Sequence, residues 1–187
     1  MISAVYDACV LYSASLRDFL LRLAVPGLVS PFWSEEIHHE WIRSLLKNRP
    51  DLKRENLERT RRNMDFHFPT ALIHGYEPIL PTLMLPDPDD RHVLAVAIQA
   101  KAKYIVTFNL DDFPKASLQP YGIKAISPDE FVFQLTQKVP RRVLRAVQKH
   151  RRELTRPPKT VDEYLSTLEK QKLPKTVTFL RKHKDNL

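Results

Sequence analysis

Carboxylates recur at four separated places in this 187-residue chain: Asp7, Glu40, Asp90, and the adjacent pair Asp111 and Asp112. Asp7 sits inside an otherwise apolar N-terminal run, where an acid is costly unless it is paired or liganded. Glu40 lies past the first turn of a helical stretch and beside Trp41, so the helix-dipole explanation that serves Glu36 does not serve it. Asp90 stands at the start of an apolar helix, and Asp111 and Asp112 follow a β-rich run. Taken alone, each has an ordinary explanation. Aspartates before a helix, Asp87 and Asp89 included, are commonly N-caps, and Asp-Asp after a strand is commonly a turn. Brought together, four carboxylates would repel, raising the pKa of some, unless a hard divalent cation neutralised them. An all-oxygen donor set suits Mg²⁺ or Mn²⁺ rather than a soft metal.

The elements that must carry these acids can be read from spacing. The stretch from 85 to 113, LPDPDDRHVLAVAIQAKAKYIVTFNLDDF, reads as helix then strand with acids at one end of each. Val93, Leu94, Ala97, Ile98 and Ala102 recur at three- and four-residue intervals and line one helical face, and Pro88 suits the start of that helix. Tyr104 to Phe108 are β-branched and aromatic and close at Asn109, as a buried strand should. Sites in open α/β sheets form beyond the carboxyl ends of strands, where Asn109, Asp111 and Asp112 fall.

Upstream, Ile2 to Tyr6 form a first strand that Ala8 to Leu11 continue, with Asp7 near its carboxyl end and Cys9 packed rather than reactive. A helix with Leu16, Phe19, Leu20 and Leu23 on its buried face should follow, capped by Ser13 or Ser15 and stopped by Pro26 and Gly27. Residues 28–32 form a second strand. Ser34 caps the helix that carries Ile37, Glu40, Trp41 and Leu45, with His38 and His39 expected at the surface or its boundary. Residues 51–65 read as a solvated Arg-rich helix and 66–86 as proline-broken loops, with His67, His74 and His92 structural. Residues 122–126 form an edge strand, and Ser127 and Pro128 open a helix. The result is an α/β fold.

Composition excludes several function classes. Only three glycines occur, so neither a dinucleotide-binding fingerprint nor a P-loop is present. No serine stands in an activated nucleophile context. The single cysteine cannot form an internal disulfide, nothing approaches the roughly 18 apolar residues of a membrane span, and no secretory signal pattern is seen, so a cytoplasmic protein is expected. Net charge is +8, and its distribution is uneven: residues 138–187 hold 15 Lys plus Arg against 5 Asp plus Glu, whereas residues 1–137 hold 15 against 17. That section reads as three helices, opened by Pro140, by the capping-box pair Thr160 and Glu163, and by Pro174. Their apolar stripes are narrow and their other faces basic, which fits an anionic partner, nucleic acid or an acidic protein segment.

The segments VYDACVLY, WSEEIHHEW, PDPDDRHVLAVAI and YIVTFNLDDFP, in that order, resemble the PIN domain nucleases, and more closely the VapC-like toxins of bacterial toxin and antitoxin pairs. The basic tail TVDEYLSTLEKQKLPKTVTFLR is similar to the appendage of one VapC-like subgroup, so the resemblance spans nearly the whole chain. It implies a three-layer fold with a central parallel sheet flanked by helices over 1–137, and a helical C-terminal extension over 138–187. It also implies a divalent-metal ribonuclease with an RNA substrate, a cognate antitoxin and a homodimeric state. By position, Asp7, Glu40 and Asp90 match the family's acids. Many members place an aspartate where this chain has Asn109, so Asp112, in preference to Asp111, would supply the fourth charge, with Asn109 a neutral ligand or orienting group. The alternative is a degenerate module that binds RNA or protein without cleaving.

Overall fold

The computed structural model describes residues 1–187. The strands are β1 (Ile2–Tyr6), β2 (Val29–Phe32), β3 (Tyr104–Val106) and β4 (Lys124–Ile126), and they form one sheet in the order β2-β1-β3-β4. The helices are α1 (Ala8–Leu11), α2 (Ala14–Ala24), α3 (Glu35–Asn48), α4 (Arg54–His67), α5 (Arg91–Gln99), α6 (Lys115–Leu118), α7 (Pro128–Lys138), α8 (Pro140–Glu153), α9 (Val161–Lys170) and α10 (Pro174–Arg181). This is the α/β class expected, a sheet flanked by helices with further helices at the C-terminus. The chain divides into two units, Ile2–Tyr12 with Ser30–Ile126, and Met1 with Ser13–Val29 and Ser127–Leu187.

In the first unit β1 and β3 run parallel with Tyr6 opposite Val106, and β3 and β4 run parallel with Val106 opposite Ile126. The pairing continues one residue further, since the Asp7 amide donates to the Val106 carbonyl at 3.1 Å and the Thr107 amide to that of Ile126 at 3.0 Å. Ala4, Val5, Tyr6, Ile105 and Val106 are fully buried, as strands covered on both faces should be. The predicted continuation of β1 through Ala8 to Leu11 does not occur: these residues turn into α1, with the Val10 and Leu11 amides bonded to the Asp7 carbonyl. Apolar residues without alternation fit a buried strand and a buried helical turn equally well, and the acid at position 7 marks the boundary. Helix α5 packs on β1 and β3, and Val93 to Ala97 are all buried.

Helix α3 packs on α1 and α4. The Ser34 hydroxyl caps it by accepting from the Ile37 amide, as predicted. His38 is not at the surface but fully buried. Its Nδ1 accepts from the Trp41 indole at 3.0 Å, and its Nε2 lies 3.1 Å from Asp65, which also accepts from Trp33 Nε1. Burial holds the imidazole pKa below its ordinary value despite Asp65. A histidine in apolar surroundings is tolerable because both ring nitrogens have partners.

The second unit is helical. Helix α8 packs against α2 and α7, and α10 against α7 and α9. His150, 4% exposed, bonds Asp18 on α2 at 2.9 Å and the Tyr164 hydroxyl on α9 at 3.0 Å, so one side chain joins three helices. The capping box at Thr160 and Glu163 forms as expected. Helix α10 has no cap of its own. Asp129, in the first turn of α7, instead accepts from the Lys175 and Thr176 amides, both at 2.9 Å. Asp129→Ala strands those two donors, so unfolding free energy from urea titration should fall by about 2–4 kcal/mol with unchanged slope. Asp129→Asn, which keeps one acceptor oxygen, should lose roughly half as much.

Candidate metal centre built from separated carboxylates

The parallel register of β1 and β3 fixes the first acid. Asp7 is 4% exposed. Its Oδ2 accepts from the Thr107 hydroxyl at 2.6 Å and from the Cys9 thiol at 3.1 Å. The Thr107 hydroxyl in turn accepts from the Asn109 amide at 2.9 Å, which directs its hydrogen at Asp7. Both donors are neutral groups.

Asp90 occupies the start of α5, yet its carboxylate makes no capping bond there. Asp87 does that work one turn earlier, accepting from the Asp89 amide at 2.9 Å. The N-cap explanation therefore belongs to Asp87 and leaves Asp90 unexplained by helix geometry. Burial first, and then the charges of Asp7, Asp112, Asp87 and Glu40, push the Asp90 carboxyl up to about 7. Acids separated by up to 105 positions in the chain thus share one electrostatic neighbourhood. Asp112 belongs to it and is half-buried, whereas Asp111 and Asn109 are exposed. No three His, Cys, Asp or Glu side chains close to metal-ligating geometry. The all-oxygen donors and the repulsion on Asp90 fit a hard divalent cation.

Glu40 is held differently. His92 Nε2 donates to its Oε1 at 3.1 Å. Burial alone would lower the His92 pKa, but the bond to Glu40 and the charges of Glu40, Glu36 and Asp7 outweigh it, and the pKa is raised. The role of His92 was missed in the sequence, where it reads as one more structural histidine. The available signal was its place in the first turn of α5, two residues after Asp90. Nothing local points to a partner 52 residues away. Thr107 was similarly legible only as a strand residue. Cys9 is no nucleophile, because burial and then the Asp7 charge push its thiol up to about 12.

A parallel sheet whose strand ends and neighbouring helices gather acids defines a class that comparison identifies directly. Residues 3–111 match the PIN domain family, and the chain belongs to that family. Residues 128–182 match the VapC50 C-terminal domain. A protein of Mycobacterium tuberculosis described as "Putative ribonuclease VapC50" is 46% identical over 63 residues, a match spanning 34% of this chain and 37% of that relative. No solved structure matches the chain.

The raised Asp90 pKa has a definite consequence for stability. The folded state binds a proton that the unfolded state has released, so stability of the metal-free protein falls as pH rises from about 4 to about 7. In EDTA the melting temperature of the wild type relative to Asp90→Asn should therefore decline across that window, since Asp18 and His38, shifted the opposite way, are common to both, and Mg²⁺ should restore the wild type more at pH 8 than at pH 5.

Proposed function

We propose that the protein is an endoribonuclease that hydrolyses RNA phosphodiester bonds with a divalent cation, Mg²⁺ or Mn²⁺. The observation that carries this reading is the gathering of acids from separate stretches, Asp7, Glu40, Asp87 and Asp112, around Asp90, whose carboxyl is pushed up by burial first and then by their charges. Membership of the PIN domain family and the ribonuclease name of the M. tuberculosis relative support the reaction class.

In this reading Asp7, Asp90 and Asp112 hold the cation, with Asn109 as a neutral oxygen donor. When bound, such a cation lowers the pKa of a coordinated water and offsets charge on the phosphoryl oxygens. Thr107 keeps the Asp7 carboxylate in one orientation through its 2.6 Å bond. Glu40, anchored by His92, accepts the proton of the attacking water. Lys and Arg side chains draw the RNA backbone in. The motifs shared with VapC-like toxins support a place as the toxin of a type II pair, homodimeric and cytoplasmic, held in check by a cognate antitoxin.

Incubation with structured RNA is the direct test. Cleavage should require Mg²⁺ or Mn²⁺ and stop in EDTA, and Asp7→Asn should reduce the rate by on the order of 10²-fold or more while the circular dichroism spectrum is unchanged. Intact RNA under every metal condition, with RNA still bound, would instead assign the protein to the degenerate binding modules.

A further inference from the structure

The exposed side of α8 carries Arg141, Arg145, Lys149 and Arg152, one cation per helical turn, about 6 Å apart and within about 80° of arc. The opposite side buries Val143, Ala146, Val147 and His150. Because His150 is bonded to both Asp18 and Tyr164, the rotation of the helix is fixed and the cationic side is held outward.

Helix stability does not explain this charge. Basic residues suit the last turn, which accounts for Arg151 and Arg152, but Arg141 and Arg142 stand in the first turn, where positive charge opposes the dipole and no acid compensates it. Glu153 is the helix's one acid, and it is already shared by Arg22 and Lys149. Arg142 is tied to the Pro26 carbonyl at 2.9 Å. Arg141, Arg145 and Arg152 have no carboxylate partner. Beside them lies a cavity of about 540 Å³ whose polar lining is Arg141, Arg145, Gln148, His183 and Asn186, with no acid among its walls.

We infer that this face of α8 is a binding tract for the phosphodiester backbone of single-stranded RNA, an inference that rests on the ribonuclease reading for its substrate class. Evenly repeated guanidinium groups match a polyanion with a regular charge repeat, and their forked donors suit phosphate oxygens. An acidic protein partner would be expected to meet aromatic or large apolar anchors. None of the exposed large hydrophobic side chains lies on α8.

The test uses the full-length protein in EDTA, where binding is read without cleavage, with a fluorescein-labelled oligouridylate as probe and anisotropy as readout. Replacing Arg141, Arg145 and Arg152 by Gln should weaken binding at least tenfold and reduce the slope of log affinity against log salt by about 2. The control variant Arg54→Gln, Arg59→Gln, Arg62→Gln removes equal charge from α4 and should change neither quantity by more than a fraction of that. Equal losses in both variants would reduce the effect to net charge and overturn the tract. So would a triple α8 variant that keeps full RNA affinity but loses binding to polyglutamate, which would make the face a dock for acidic protein. If the wild type binds RNA through α8 yet leaves it intact when Mg²⁺ is supplied, the ribonuclease reading fails while the tract stands.

Discussion

The carboxylate of Asp7 is almost completely withdrawn from water at the end of β1, and the strand register decides what it meets there. With Tyr6 opposite Val106, the next residue on each strand brings Asp7 beside Thr107, and the threonine hydroxyl has one hydrogen to give. That hydrogen goes to Asp7 because the Asn109 amide occupies the oxygen from the other side. A slip of one residue would put a different side chain beside Asp7, so the orientation of the acid depends on this pairing.

The buried and half-buried acids of this protein fall into two groups with different physics. Asp129 is satisfied by two backbone amides, Asp65 by Trp33, His38 and Arg61, and Asp18 by His150 and Arg22. Each of these ties elements together, and the Asp18 carboxyl is held below its usual range because bonds to His150 and Arg22 overcome its burial. Asp7, Asp90 and Asp112 form no salt bridge, and burial first and then the charges of its acidic neighbours lift Asp90. The acids that tie elements together are paired, whereas the group around Asp90 is not, and this contrast is what the proposed metal site rests on.

How much of this was legible in the sequence depends on the range of the interaction. Local signals read correctly: the spacing of Val93, Leu94 and Ala97, the Ser34 cap, the capping box at Thr160, and the β-rich run into Asn109 all describe neighbours along the chain. The acids Asp7, Glu40, Asp90 and Asp112 could be selected because each broke a local rule. What could not be read were partners without periodic spacing. Trp41, three residues on in the same helix, is a local partner of His38, but Asp65 reaches its other ring nitrogen only once α3 and α4 pack, so the burial of His38 is not legible from α3 alone. His92 lacked an evident role because Glu40 lies on a different helix. Residues 8–11 were misread because a four-residue apolar run has no period long enough to separate strand from helix.

Asn109 bears on how the charge at this site is balanced. Its amide is committed to Thr107, so the backbone there is fixed whatever side chain it carries. An aspartate in its place would add another negative charge near Asp90, which burial and then the existing acids already push up to about 7, and Asp112 supplies the local negative charge from three residues further on. Glu40 already shares its charge with His92, whose raised pKa reflects that pairing. With Glu40 engaged in this way, Asp7, Asp87, Asp90 and Asp112 are the acids of this neighbourhood that form no salt bridge. In the proposed reading, Asn109 would offer a divalent ion a neutral donor without the further repulsion that an aspartate there would bring.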